Sequence, residues 1–141
     1  VRHLFEVRRM LEPQAAASAV ADLGDEDMAA LGAALARAGR ASATGSAEEM
    51  IAANMDFRAA WLARVANPRL VDAISRFVDH AQIVRLKTLN DPHSQRIALA
   101  GLAGLHEAFA ARDRDEVRRR MEAFLLAAER AFQTRKRDDP N

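Results

Sequence analysis

The sequence predicts an all-α fold, an antiparallel bundle of six to seven helices. Of the 141 residues 32 are alanine, a strong helix former, whereas tyrosine is absent and only 6 residues are glycine and 4 are proline. Apolar residues also recur every three or four positions, and helix-capping residues stand at the start of most of these stretches. The short segments between them favour antiparallel packing of neighbouring helices.

The first predicted helix extends from about Arg2 to Leu23. Its interior contains Pro13, and a proline there removes a backbone hydrogen bond, which predicts a kink or a restart of the helix. The apolar stripe of this helix consists of Leu4, Val7, Leu11 and Ala15. We expect this stripe to face the core, with Arg8 and Glu12 beside it, one turn apart.

The second helix is predicted to begin near Asp25, because the helix dipole favours the acidic residues found in that first turn. The small and polar segment 39–45 predicts a loop. Ser46 followed by Glu49 is a capping box, so a third helix should open there and reach about Ala66. The apolar stripe of the third helix consists of Met50, Phe57, Trp61 and Val65.

Two Asx-Pro pairs predict two more helix starts. Asn67–Pro68 begins a fourth helix and Asp91–Pro92 a fifth, because the polar side chain caps the backbone and proline suits the first helical position. Asp113 followed by Glu116 begins a sixth. The predicted stripe of the fourth helix is Leu70, Ile74, Phe77, Ala81 and Val84, and that of the fifth is Ala98, Leu102, Leu105 and Phe109. The stripe of the sixth is Val117, Met121, Phe124, Ala128 and Phe132.

Residues 1–134 are predicted to form one domain, followed by a charged, flexible tail at 135–141. The net charge is +1, from 21 Lys+Arg and 20 Asp+Glu, which argues against a dedicated nucleic-acid-binding surface. No apolar run reaches the roughly 18 residues of a membrane span. The charged first residues do not resemble a signal peptide, so we expect a cytoplasmic protein without membrane contact.

Motifs for catalysis are missing from the sequence. It contains no cysteine, no glycine-rich phosphate loop and no G-x-S-x-G or H-E-x-x-H motif. Its four histidines include no pair four residues apart. The dipeptide Asp79–His80 is interpreted as part of a solvated helix face. We therefore predict no catalytic residue and no enzymatic activity.

Two polar residues, Asn54 and Arg58, lie among the apolar positions of the third helix. A buried arginine is costly unless it is paired. Arg58 could reach the rim of the bundle and pair with a carboxylate of another helix. Alternatively, Asn54 and Arg58 point into an internal cavity and hold an anionic ligand. The same two alternatives apply to Arg8 and Glu12 on the first helix.

Three parts of the chain carry motifs of a known family. Residues 4–13, LFEVRRMLEP, are similar to an E-x-R-x-x-L-E opening, and residues 54–61, NMDFRAAW, followed by Asn67–Pro68, are similar to D-x-x-F-H-x-x-L … N-P. Residues 108–113, AFAARD, and 121–125, MEAFL, resemble A-I-x-x-x-D and M-x-x-H-L. Together they resemble the FCD domain, the effector-sensing C-terminal domain of FadR-type regulators in the GntR family.

The resemblance fails at the positions that bind a divalent metal in many members of that family. The one Asp and three His of the family fall on Asn54, Arg58, Leu102 and Phe124 here. Leucine and phenylalanine have no ligand atom and arginine repels a cation, so we expect no metal and no other cofactor. His106, one turn after Leu102, is a candidate for a displaced metal ligand.

The resemblance implies an effector-binding and dimerisation domain of a bacterial transcription regulator. We expect a homodimer that contacts DNA only through a winged-helix domain preceding this chain. In metal-containing relatives the cation helps to hold the carboxylate of a small organic acid, and here Arg58 would bind the carboxylate of an organic acid or acyl compound directly. The expected ligand-binding residues are Arg8, Asn54, Arg58, Leu102, His106 and Phe124.

Two alternatives to this function remain open. The bundle could serve dimerisation alone, without a ligand, or it could be a small helical metal-dependent enzyme.

Overall fold

The computed structural model describes residues 2–77 and 89–138, and the side chains within these ranges up to residue 134. The predicted all-α class is confirmed for this part of the chain. A single turn of 3-10 helix, Val20–Asp22, follows the first α-helix. The α-helices of the described part are α1 (Arg2–Ala19), α2 (Asp25–Thr44), α3 (Ala47–Leu62), α4 (Pro68–Ser75), α5 (Pro92–Ala110) and α6 (Arg114–Asp138).

Helices α1, α3, α5 and α6 surround the part of the core that holds the polar side chains. The most extensive contacts join α2 to α3, α1 to α6, α6 to α5 and α5 to α2, and α3 also touches α1 and α5. Connections of two and three residues, 45–46 and 111–113, link α2 to α3 and α5 to α6. Connections this short are typical of antiparallel helix hairpins.

The predicted helix starts after polar capping residues are confirmed. Ser46, Asn67, Asp91 and Asp113 precede α3, α4, α5 and α6, and the side-chain oxygen of each accepts a backbone N–H, at 3.2, 3.0, 2.9 and 3.1 Å respectively. Each bond satisfies one of the donors that a helix leaves free in its first turn. Local sequence therefore determines where these four helices begin.

The loop predicted for residues 39–45 is wrong. Helix α2 continues to Thr44 and ends at Gly45, whose φ of +74° is the left-handed conformation that glycine adopts at a helix C-terminus. Ala38 and Ala41 are buried, so this last part of α2 packs against the core. Tertiary packing thus outweighs the weak helix propensity of the local glycine and serine residues.

Three other boundaries differ from the prediction. Helix α1 does not restart at Pro13, because the proline lies inside a helix that continues to Ala19. Helix α4 ends at Ser75, and the predicted core residues Ala81 and Val84, like Asp79–His80, lie outside the described residues. Helix α6 continues to Asp138, into the segment 135–141 that was predicted as a tail.

The buried face of α1 is rotated by one position from the predicted stripe. Leu4, Val7 and Leu11 are only half-buried, whereas Phe5, Arg8 and Glu12 are buried. The predicted stripes of α3 and α5 are buried as expected. No helix in the described part combines the length and the apolar character needed to cross a membrane.

Candidate functional site

A cluster of two arginines and one glutamate lies in the core between α1 and α3. Arg8 and Glu12 are one turn apart on α1, and Arg8 Nε donates to Glu12 Oε2 at 2.6 Å. Arg58 approaches from α3, with its Nη2 3.2 Å from Glu12 Oε1. The exposed fractions are 7% for Arg8, 2% for Glu12 and 7% for Arg58. Arg58 therefore does not reach the rim of the bundle. It does lie beside a carboxylate of another helix, that of Glu12.

The geometry of the core cluster, Arg8, Glu12 and Arg58, leaves positive charge in excess. Glu12 accepts a hydrogen bond from Arg8, and none of the three guanidinium nitrogens of Arg58 has a hydrogen-bond partner among the described residues. Burial lowers the pKa of Arg58, Glu12 opposes this shift, and the charge of Arg8 adds to it. The charged form of Arg58 is thus disfavoured where it lies, and a second anion in contact with it would reverse that effect.

Asn54 lies one turn before Arg58 on α3 and is also buried. Its Nδ2 donates to the backbone carbonyl of Met50 at 2.9 Å, which fixes the amide against its own helix. Arg8 is held in a similar way, by Glu12 and by the face of the Phe5 ring, whose centroid lies 5.7 Å from its guanidinium carbon. Asn54 and Arg8 are therefore positioned by contacts within their own helices.

The core cluster lines a small cavity, named here the arginine cavity, of about 20 Å³. Its polar wall consists of Arg8, Glu12, Asn54 and Arg58. Its apolar wall consists of Phe57, Trp61, Leu102, Leu105, Met121 and Phe124. The cavity thus combines two guanidinium groups with an otherwise mainly aromatic and aliphatic surface, which suits an anion carrying an apolar group.

A second cavity, named here the apolar cavity, adjoins the arginine cavity and measures about 50 Å³. The two cavities share the residues Arg8, Asn54 and Phe124. Most of the remaining wall of the apolar cavity is hydrocarbon, from residues that include Phe5, Leu89, Ile97, Ala98, Leu125 and Ala128. The polar and apolar spaces are therefore neighbours with a common wall.

The structure brings five of the six predicted ligand-binding residues to the arginine cavity. Arg8, Asn54, Arg58, Leu102 and Phe124 all line it, from four different helices. His106 lies elsewhere on α5 and does not line either cavity. Its Nε2 is 3.5 Å from the position that a Cβ at Gly32 of α2 would occupy.

Glu12 joins Arg8 to Arg58, but it was not among the predicted ligand-binding residues. It was predicted only to lie beside the apolar stripe of the first helix. The signal for it was its spacing of four residues from Arg8. Trp61 and Met121 were also missed as cavity residues. Both were identified only as members of apolar stripes, and a stripe does not distinguish a cavity wall from solid core.

The donor set of the arginine cavity does not fit a divalent metal. Glu12 is its only acidic side chain among the described residues, and two guanidinium groups lie next to that carboxylate. Divalent cations in proteins require several carboxylate, imidazole or thiolate ligands. The described residues contain no group of three or more His, Cys, Asp and Glu side chains that could hold a metal ion.

Comparison with known protein families shows where this chain belongs. The model of the family described as the FCD domain matches residues 3–127 of the chain. This range includes all of α1 to α5 except Arg2, and it includes the part of α6 that lines the arginine cavity. No curated protein matches the sequence.

Proposed function

Because the chain belongs to the FCD domain family, we propose that its arginine cavity binds the carboxylate of a small organic effector. The FCD domain is the effector-binding, regulatory domain of GntR-type transcription regulators. One observation carries the proposal for this cavity: the three guanidinium nitrogens of Arg58 are buried at its wall, and no described residue is their hydrogen-bond partner.

The charges of the core cluster favour a carboxylate. Counted over the described residues, two guanidinium groups and one carboxylate give a net charge of +1, so an added carboxylate neutralises the cluster. A guanidinium presents parallel N–H groups to both oxygens of a carboxylate, which a point charge does not. Arg58 supplies these donors, whereas Arg8 is already bonded to Glu12 through its Nε.

Binding at this place would connect two helices. A carboxylate between Arg58 of α3 and Arg8 of α1 adds a second link between these helices, beside the one that Glu12 makes in the described part of the chain. An effector that prefers one packing of α1 against α3 shifts the population toward that packing. In a homodimeric regulator this shift would change the relative placement of the DNA-binding domains. No catalytic step and no metal ion is part of this function.

Thermal unfolding in the presence of butyrate, with butyramide as the uncharged analogue, tests the assignment. A ligand that binds only the folded chain stabilises it by about 2.7 kcal/mol at a concentration of 100 Kd, which raises Tm by several degrees. We expect butyrate to raise Tm and butyramide to have no effect. We expect Arg58→Met to fold, because methionine fills apolar space adaptably, and to lose the response.

Arg37→Met is the matched control, since Arg37 also bonds to carboxylates but lies on the surface between α2 and α3. It should keep the butyrate response of the unmodified chain. An equal rise of Tm in Arg58→Met would contradict the assignment. If butyrate and its homologues leave Tm unchanged in the unmodified chain, the bundle that serves dimerisation alone is favoured instead. Stoichiometric metal in the purified protein would favour the metal-dependent enzyme.

A further inference from the structure

The arginine cavity is too small for the ligand proposed for it. A cavity that holds one water molecule needs roughly 10–15 Å³, and this one measures about 20 Å³. A carboxylate group with its attached carbon has four heavy atoms, whereas a water molecule has one, so the two together exceed that space. The ligand must therefore extend beyond the arginine cavity, and the apolar cavity of about 50 Å³ is its neighbour.

Three described residues line both cavities, and Phe124 is the one whose side chain is not held by a hydrogen bond. Arg8 is bonded to Glu12, and the Asn54 amide is bonded to the Met50 carbonyl. The Phe124 side chain is half-buried and packs on hydrocarbon. A change of its χ angles is consequently the least costly way to join the two cavities.

The position of the Phe124 ring depends on a glycine in α5. A Cβ at Gly101 would lie 2.1 Å from Cδ2 and 2.6 Å from Cε2 of Phe124, far inside van der Waals contact. The aromatic ring thus occupies the space that any other residue at position 101 would fill. Gly101 allows the ring to lie against the backbone of α5, at the boundary of the two cavities.

We propose that Phe124, seated on Gly101, sets the length of the effector by separating the arginine cavity from the apolar cavity. This inference rests on the proposed function of Arg58. The effector is then a straight-chain monocarboxylate, with its carboxylate at Arg58 and its tail passing Phe124 into the apolar cavity. A volume of about 50 Å³ gives this tail room for roughly three to five heavy atoms.

Isothermal titration calorimetry with the straight-chain acids from acetate to octanoate tests the inference. In the unmodified chain, affinity should rise about fourfold for each added methylene that enters the apolar cavity. It should then fall once the tail exceeds the space beyond Phe124. In Phe124→Ala the optimum should move to longer acids, with octanoate gaining at least tenfold over the unmodified chain and acetate changing little.

Gly101→Ala should move the optimum in the opposite direction, because its methyl group displaces the ring toward the cavities. Leu126→Ala is the control: this residue lies on α6 two positions after Phe124, is 38% exposed and lines neither cavity. Its length profile should match that of the unmodified chain.

The outcomes separate this inference from the function on which it rests. If acids bind and Arg58→Met abolishes binding, but Phe124→Ala keeps the same optimum length, the role of Phe124 is wrong and the carboxylate site stands. If no acid of the series binds to the unmodified chain, the carboxylate site is wrong and the role of Phe124 is overturned with it.

Discussion

Two clusters of arginine and carboxylate side chains join helices of this bundle, one on the surface and one in the core. In the surface cluster, Arg37 of α2 lies between two carboxylates of α3, with Nε 2.8 Å from Glu49 and Nη1 2.9 Å from Asp56. The core cluster has the opposite ratio of charges, because in the described part of the chain the carboxylate of Glu12 lies between two guanidinium groups.

The difference lies in what the surroundings do to the charged forms. On the surface, hydrogen bonds to Glu49 and Asp56 raise the pKa of Arg37, and the bond from Arg37 lowers the pKa of Glu49. In the core, burial lowers the pKa of Arg58. The surface cluster is therefore satisfied as it stands and adds little to stability. The core cluster, in contrast, is held at a cost in free energy.

The largest expected effect comes from removing the core carboxylate. Glu12→Gln retains the shape of the side chain but leaves two buried guanidinium groups without the charge that joins them. Removing one partner of a buried ion pair costs about 3–5 kcal/mol, and we expect a loss of that size in the free energy of unfolding. Urea denaturation, monitored by the helical circular dichroism signal, measures it.

Glu49→Gln is the matched change in the surface cluster. Glu49 is exposed and its partner Arg37 keeps Asp56, so we expect a change in stability that is small beside that of Glu12→Gln. The comparison breaks down if the two variants lose similar stability. The core cluster would then behave as a solvated ion pair, and its positive charge would no longer support the binding of a carboxylate.

The next largest effect contrasts two glycines in helix interiors, one near each cluster. Gly101→Ala places a methyl group 2.1 Å from the Phe124 ring, and overpacking of this kind costs about 1–3 kcal/mol. Gly39 of α2 lies two residues after Arg37 and has no atom within 4 Å of the added Cβ. Gly39→Ala should stabilise the protein by about 0.5–1 kcal/mol, because alanine favours the helix.

Thermal unfolding of the two glycine variants, measured side by side, gives the sign of each change. A rise in Tm for Gly39→Ala together with a fall for Gly101→Ala supports the close packing of Phe124 on α5. Should Gly101→Ala raise Tm as well, the ring yields without cost, and the separation of the two cavities by Phe124 loses its structural basis.

The sequence predicted the starts of helices most accurately, because side chains close by in the sequence cap them. Polar caps such as Asn67 and Asp91 determine a helix start within a few residues, and both were predicted correctly. The C-terminal part of α2 was missed because glycine, serine and threonine favour a loop locally. Ala38 and Ala41 keep that segment helical by packing in the core, which is information from distant parts of the chain.

The candidate site was predicted in part, for a related reason. The resemblance to the FCD family placed Leu102 and Phe124 with Arg58, at positions that bind a metal in other members, and all three residues line one cavity. The buried face of α1 was misplaced, since charged residues are normally assigned to the solvent side. Arg8 and Glu12 are buried because each neutralises the other, and a hydrophobic pattern does not record such pairing.

The smallest expected effect belongs to the surface cluster and depends on pH. The pKa of Glu49 is lowered from 4.5 by the hydrogen bond from Arg37 and by its charge. A carboxyl group whose pKa is lower in the folded than in the unfolded state adds stability above the unfolded pKa, and this contribution is lost as pH falls through the folded value. The difference in Tm between the unmodified chain and Glu49→Gln should thus be present at pH 7 and vanish at a pH well below 4.5. A Tm difference for Glu49→Gln that persists in acid would mean that Arg37 holds Glu49 through packing of the side chains. Charge would then not be the property that distinguishes the surface cluster from the core cluster.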